Sequence, residues 1–507
     1  MQINRCTYAL AVCSLALVVL AGCATMGAAV LPEDRALPPA ETAFWRHVSD
    51  AHPDDWYHVL NQGDEALAWR LRAIDSATAS IDMETFLWMP DQTGQQVLAR
   101  LLAAADRGVR VRILLDDSFT MHQDLALHAI DAHPRIDIRI YNPFRHRPDN
   151  VVLRQLFNLG EFSRINHRMH NKALVVDGRA AIVSGRNIAD EYFGFDHRFN
   201  FRDMELLTAG KGVRGVVRHF DQFWNSGWSF PIHQIIKPPG GAPDLNAIRH
   251  SLAAKPGPVP ARDTAALEAA WISVAKSGHP GVSVFHSDNP PRENPAAAVE
   301  APVQLAAVLM KLIDGASREV VLVSAYLIPT PELEAAIERA RKRGVQVRML
   351  TNSLRSNNHL SAHSAYANHI GRLVSQGVAL HEMHAMAADR SRYMQSPVQD
   401  KRLGLHAKIL IIDDTHAYVG SCNLDPRSLK LNTEVGLVIR SAPLNRALRQ
   451  MLATDFEPRN AWAVKLSAEG KLQWHGNGVI HDAPPADSVM QRLEDWFLGL
   501  LPIEEQM

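Results

Sequence analysis

Two stretches of this chain, "RMHNKALVVDG" from Arg168 to Gly178 and "GLHAKILIIDD" from Gly404 to Asp414, carry His, Lys and Asp at one spacing. His170 and His406, Lys172 and Lys408, and Asp177 and Asp413 are each 236 residues apart. The same offset joins Arg107-Gly108 to Arg343-Gly344 upstream and Asn187 to Asn423 downstream. Chance does not hold register from Gly108 to Asn187, and the period is far too long for a solenoid. The chain therefore reads as two copies of one domain. Any site built on the motif exists twice, and a pseudo-two-fold can bring the copies together.

Read as a strand, "GLHAKILIIDD" places His406, Lys408, Leu410 and Ile412 on one face and Ala407, Ile409, Ile411 and Asp413 on the other. Both faces are apolar beyond the first residues, as in a strand covered on both sides. Two ionisable groups thus enter an interior together. A single copy would read as a satisfied histidine and a basic residue at a strand mouth; duplication overturns that. Around the motifs, strand patterns such as "RVRILLDD", "RIDIRIYNPF" and "VQVRMLTNS" alternate with helical ones such as "GQQVLARLLAAADRGV". The expectation is an α/β fold, two lobes with mixed sheets related by a pseudo-two-fold.

A chain of 507 residues can hold two full cores. Its formal net charge of −1 excludes a global field for nucleic acid, and no nucleic-acid partner is expected. One basic stretch stands out, with Arg145, Arg147, Arg154, Arg164, Arg168 and Lys172 before and within the first motif. It is expected to form an anion-facing rim.

The N-terminus has a short basic head and an apolar run from Tyr8 to Gly22. A bilayer span needs roughly 20 apolar residues, so the run suits a signal peptide over 1–22. Leu20-Ala21-Gly22-Cys23 resembles the bacterial lipobox, which implies cleavage before Cys23 and lipid on that cysteine. The alternative is an uncleaved anchor. With Ala24 after the cysteine, the resemblance implies a lipoprotein facing the periplasm at the outer membrane, with the inner membrane as the other possibility. Residues 23–45 then read as a lipidated tether and 46–231 as the first lobe. Pro/Gly-rich 232–300 reads as a linker with a short helix from Asp263 to Ser277, 301–480 as the second lobe, and 481–507 as a C-terminal helix lying on the protein or on a membrane surface.

His-x-Lys-x4-Asp, followed six residues later by a Gly/Ser pair and Asn, present twice, resembles the phospholipase D superfamily. "MHNKALVVDGRAAIVSGRNIADEYF" and "GSCNLDPRSLKLNTEVG" are similar to its bacterial cardiolipin synthase C branch. The resemblance covers about 60–230 and 300–465. It implies phosphatidyl transfer between membrane phospholipids through a phosphohistidine, making cardiolipin from phosphatidylglycerol and a second phospholipid such as phosphatidylethanolamine. Plain phospholipase D hydrolysis, nuclease action and non-catalytic lipid binding are the alternatives. It also implies that His170, in the N-terminal copy, is the nucleophile.

The residues suit that chemistry. Displacement at a phosphodiester needs a nucleophile, an acid for the leaving alkoxide, and fixed positive charge around the phosphoryl oxygens. Two His-Lys pairs supply all three. The signature set is His170, Lys172, Asp177, His406, Lys408 and Asp413; strand parity places both aspartates opposite their histidines, which suits support more than chemistry. Glu205 and Glu434 are expected to orient the histidines, and Asn187 and Asn423 to donate to phosphoryl oxygen. "HLSAHSAY", with His359, His363 and Tyr366, is a candidate acceptor-side lining or a surface helix start. No cofactor or metal is expected, because lysines beside the histidines repel a cation. Cys422 lies next to Asn423, but its counterpart is Arg186, so the chemistry does not call for sulfur there.

Overall fold

The computed structural model describes residues 26–52, 54–254, 262–291 and 304–499. The apolar N-terminal run and Cys23 lie outside the described residues. Each lobe is built on a mixed sheet with a parallel centre. In the first, Ser80–Thr85, Arg110–Asp116 and Ile136–Tyr141 run parallel; in the second, Glu319–Val323, Gln346–Asn352 and Ala379–Met383 do the same. Antiparallel strands Ala173–Val176, Ala180–Ser184 and Glu205–Ala209 extend the first sheet. Ile409–Ile412, His416–Gly420 and Val435–Arg440 extend the second in the same order. The two lobes thus repeat one topology, as the 236-residue offset requires.

Parallel neighbours need a crossover, and a helix supplies it. Asp91 caps Gln92–Asp106 by accepting from the Gly94 N–H at 2.9 Å. Thr330 caps Pro331–Lys342, with proline at the first turn, where its missing N–H costs nothing. Each helix is followed by a left-handed glycine, Gly108 (φ 95°) or Gly344 (φ 83°), where a side chain would be strained.

The strands are buried on both faces because two sheets stack. Ala173, Val175, Ala407, Ile409 and Ile411 belong to one cluster drawn from both lobes. Leu174 and Val176 pack under the helices of lobe 1, and Leu410 and Ile412 under those of lobe 2. The order is helices, sheet, sheet, helices. Each buried Val, Leu or Ile is worth about 1.5–3 kcal/mol, so the lobes are joined by a core.

Backbone also crosses between lobes, and this breaks the continuous strand expected of "GLHAKILIIDD". Arg402–Leu405 leaves its own sheet to pair in parallel with Phe199–Arg202 of lobe 1. The chain joins the second sheet only at Ile409, so His406 and Lys408 sit in the gap between two ladders. On the other side Met169 bridges to Thr433, and the His170 N–H donates to Thr433 O at 2.9 Å.

Two segments differ from expectation, and a third, the C-terminal helix, lies on the protein, one of the two placements expected for it. Residues 26–42 are no free tether, because Asp34 pairs with Arg110, Ala36 N–H donates to Asp221 at 2.9 Å, and Ala40 N–H donates to Asp177 O at 2.9 Å. The Pro/Gly-rich region is more than a linker. Its helix Thr264–Ser277 buries Trp271 among Trp45, Trp56 and Trp69, at ring separations of 5.2, 6.5 and 5.3 Å. His279–Pro280 then joins the first sheet and Val282–Ser287 the second. In the C-terminal helix Val489–Gly499, Asp495 turns inward and accepts from His363 and Ser364 at 2.9 and 2.7 Å. His363 and Tyr366 are therefore core residues, the latter bonded to Glu382 at 2.9 Å.

Candidate active site

Each catalytic-motif histidine is held by a carboxylate of the opposite lobe. His170 Nδ1 lies 2.8 Å from Glu434, and His406 Nδ1 lies 2.6 Å from Asp203. The bond on Nδ1 fixes each ring and leaves Nε2 for the substrate. Lys172 Nζ donates to His170 O at 2.7 Å, and Lys408 to His406 O. A Cβ on Gly185 would stand 3.0 Å from Asp203 Oδ1 and 3.3 Å from Lys408 Cδ, so the loop of one lobe closes on the lysine of the other. Both motifs thus build one composite site. All four basic side chains are buried, and aromatic rings wall the histidines: Phe86 at 5.0 Å from His170, Tyr192 at 4.9 Å from His406.

Asp203 is the residue that sequence reasoning missed. Glu205, expected as the second orienting carboxylate, touches neither histidine. It is fully buried between Arg70, at 2.9 Å, and Arg186, at 3.1 Å. Arg186 in turn donates to the backbone of Asp203 at 2.6 Å, so Glu205 acts two steps behind the site. The signature aspartates also stand away from it. Asp177 accepts from the Thr78, Ala79 and Ser80 N–H groups and from Trp45 Nε1; Asp413 accepts from the Ser317, Arg318 and Glu319 N–H groups. Both are turn residues in the left-handed region, φ 54° and 47°, and they tie the motif hairpin to the neighbouring strand. Asn187 donates to Tyr192 OH at 2.8 Å. The amide oxygens of Asn187 and Asn423 are buried with no partner among the described residues.

Burial sets the charge balance. It pushes His170 well below the usual imidazole value and His406 down to about 3, with the lysines adding to the effect. Burial also brings Lys172 down to about 7 and Lys408 to about 8. Glu434 is pushed up to about 8 by burial, against the pull of Lys172 and Ser421. Burial raises Asp203 too, but His406, Lys408 and Arg186 together outweigh it and hold that carboxyl below the usual range. With both histidines held neutral, two lysines face one carboxylate that stays ionised, Asp203, and one that burial raises toward neutrality, Glu434, a deficit of negative charge that one phosphodiester anion fills. The Cys422 thiol is pushed well above its ordinary value by burial and by Glu434, so sulfur is no nucleophile here.

Lys172 of the basic stretch reaches the site, but three of the arginines before it form no anion-facing rim. Arg147 pairs with Asp117 and Asp124, Arg164 with Glu161, and Arg168 with Asp116 at 3.5 Å, all turned inward.

Comparison with known proteins agrees with this architecture. The family model described as "Cardiolipin synthase, PLD-like domain" matches twice, over residues 71–224 and 309–456. Cardiolipin synthase C of Escherichia coli is 32% identical over 469 residues, 88% of this chain and 94% of that protein. The major cardiolipin synthase of Bacillus subtilis is 24% identical over 405 residues, 79% of this chain and 69% of that one. The crystal structure of a phosphatidylserine synthase from Haemophilus influenzae superposes with TM-score 0.56 at 14% identity, covering 92% of this chain and all of that one, which shows a shared fold. The chain belongs to the cardiolipin synthase, PLD-like domain family.

Proposed function

We propose that the protein is a phosphatidyltransferase acting on membrane phospholipids, and that it makes cardiolipin. The observation that carries the reading is the crossed pair of His–carboxylate contacts, which puts two imidazoles and two lysines around one anion-sized deficit. In the first step the bound phosphodiester anion, together with Asp203, raises His406 above its value in the empty site so that it carries a proton; His170 Nε2 attacks phosphorus, the bond from phosphorus to the headgroup oxygen breaks, and His406 gives that oxygen its proton. In the second, an acceptor hydroxyl passes its proton to His406, its oxygen bonds phosphorus, and the P–N bond to His170 breaks. Lys172 and Lys408 hold the phosphoryl oxygens, with the remaining amide N–H of Asn187 and the amide N–H groups of Asn423 as further donors. Cardiolipin requires phosphatidylglycerol as acceptor, since its headgroup brings the free hydroxyls; phosphatidylethanolamine can serve as donor.

Incubation with phosphatidylglycerol alone, and with phosphatidylethanolamine, followed by mass identification of products, tests this. Cardiolipin is the expected product. Phosphatidic acid alone would assign the protein to hydrolysis, with water as acceptor.

The N-terminal sequence supports a lipoprotein cleaved before Cys23, attached to a membrane and facing the periplasm. Cys23→Ala is then expected to leave the N-terminus unprocessed; normal processing of that variant would end the lipoprotein reading.

A further inference from the structure

Lobe 1 carries a surface segment whose polarity is inverted. Between Val151 and Phe162 the inward side chains are polar: Arg154, Asn158 and Glu161 are 2–5% exposed. Their spacing is that of one helical face. The outward side chains are Val151, Val152, Leu156, Phe157, Leu159 and Phe162, 48–68% exposed. The polar groups pin the segment in this orientation. The His146 N–H donates to Asn158 Oδ1 at 3.1 Å, Asn158 Nδ2 donates back to His146 O at 2.8 Å, and Arg164 pairs with Glu161. Single exposed apolar residues need no explanation, but a contiguous, rigidly presented patch marks an interaction surface.

Four observations indicate what covers it. The segment connects strand Ile136–Tyr141 to the His170 loop, and Asn142 Nδ2 donates to both Arg164 O and His167 O, so the patch lies on the rim of the catalytic cleft. A line of aromatic rings runs from the surface to the same histidine: half-exposed Phe119 lies 5.3 Å from Phe86, which lies 5.0 Å from His170. Such a line suits the acyl-bearing part of a lipid. The chain also arrives there, because the Met26 N–H donates to Glu161 at 2.9 Å. Cys23 is three residues earlier in the sequence, so a lipid on it would be tethered within about 10 Å of Met26. The C-terminal helix repeats the inversion, with Asp495 inward and Trp496 and Phe497 outward. No helix among the described residues is long and apolar enough to cross a membrane.

We propose that residues 151–162 seat in the headgroup–acyl boundary of a phospholipid bilayer and dock the cleft against it. The inference rests on the phospholipid-substrate reading and supplies the surface through which that substrate is reached. Full-length protein with Phe157→Cys carrying an environment-sensitive fluorophore, and a matched label at exposed Lys471→Cys, is mixed with phosphatidylglycerol/phosphatidylethanolamine vesicles. Emission at 157 is expected to shift to the blue and to be quenched by brominated acyl chains, with no change at 471. No change at 157, or a shift that follows protein concentration without lipid, would overturn the proposal, the latter in favour of a second copy of the chain. In a second arm, Leu156→Glu/Phe157→Glu/Phe162→Glu is expected to lose about tenfold or more activity on vesicles while acting on monomeric short-chain phosphatidylglycerol within about twofold of the parent. Equal loss on both substrates, or none on either, would also overturn it. Should the parent turn over no phospholipid, the functional reading fails, and the fluorescence arm still decides the docking surface.

Discussion

The two halves of the active site share a motif and differ in what stands behind it. Where lobe 1 has Arg186, lobe 2 has Cys422, 236 residues on. Arg186 binds the backbone of Asp203 and helps keep its carboxyl ionised. Glu434 has no such neighbour; Asp288 accepts from its backbone N–H at 3.0 Å, and burial pushes both carboxyls up to about 8. Duplication supplied two copies of the reacting groups, and their surroundings diverged. A fixed anion beside His406 stabilises the imidazolium, which suits an acid. A receptive base beside His170 can take the Nδ1 proton as Nε2 bonds phosphorus, which suits a nucleophile.

The histidines give the largest expected effect. His170→Ala and His406→Ala should each lose about 10⁴-fold or more in turnover while keeping the fold. They should differ with an activated phosphodiester, whose leaving group needs no proton. His406→Ala should then accumulate phosphohistidine at His170, seen by rapid quench and mass mapping; an adduct at His406 in His170→Ala would reverse the roles.

The carboxylates come next. Asp203→Asn should cost about 10²–10⁴-fold on a phospholipid and far less on the activated ester, because it disables the acid. Glu434→Gln should cost the same on both substrates. Equal substrate dependence in the two variants would dissolve the asymmetry.

Asp203 also shows where sequence reading stops. The signature residues were legible because the offset of 236 that joins Arg107 to Arg343 recurs from His170 through Asn187. Beyond Asn187 the lobes differ in loop length, and Asp203 corresponds to Glu434 at an offset of 231. Glu205, by ladder register against Ser184, stands where lobe 2 has Gly436 against Gly420. A carboxylate in the right strand was chosen, one turn of the pleat too late. The α/β lobes followed from alternation, whereas the crossed ladder between Phe199–Arg202 and Arg402–Leu405 did not, because pairing between distant segments leaves no local pattern. The basic stretch misled for a related reason: counting charges says nothing about which way they point.

A milder effect concerns the turn aspartates, again unequal between lobes. Asp177 is 1% exposed and also serves Trp45, whereas Asp413 is half-buried at the surface. Asp177→Ala should destabilise by about 3 kcal/mol or more, since several buried donors lose their acceptor, and Asp413→Ala by about half that. Thermal melts check both; a reversed order would show that the lobes are not anchored as described.

Anion binding should depend on pH through the two lysines. Lys172 at about 7 and Lys408 at about 8 are charged below those values and neutral above them. A bound anion favours the charged forms and raises both values, so binding takes up protons and weakens as pH rises through 7 to 8. The slope is at most about tenfold per pH unit for each linked proton. Calorimetry with sulfate, which stays fully ionised over this range, in buffers of different ionisation enthalpy measures the uptake; proton release would contradict the charge deficit.

The smallest effect belongs to Cys422, the residue that replaces Arg186. It is fully buried, its Sγ donates to Asn423 O at 3.3 Å with Ser428 O at 4.0 Å, and its thiol is held protonated. Nothing in the proposed chemistry passes through it. Cys422→Ser keeps the volume and supplies a stronger donor to the same carbonyl, so turnover should stay within about twofold. The substitution tests the comparison because it changes a neighbour of Glu434 without adding charge. A large loss would show that the thiol sets the balance on the His170 side, and the difference between the halves would then lie in sulfur, with Arg186 a bystander.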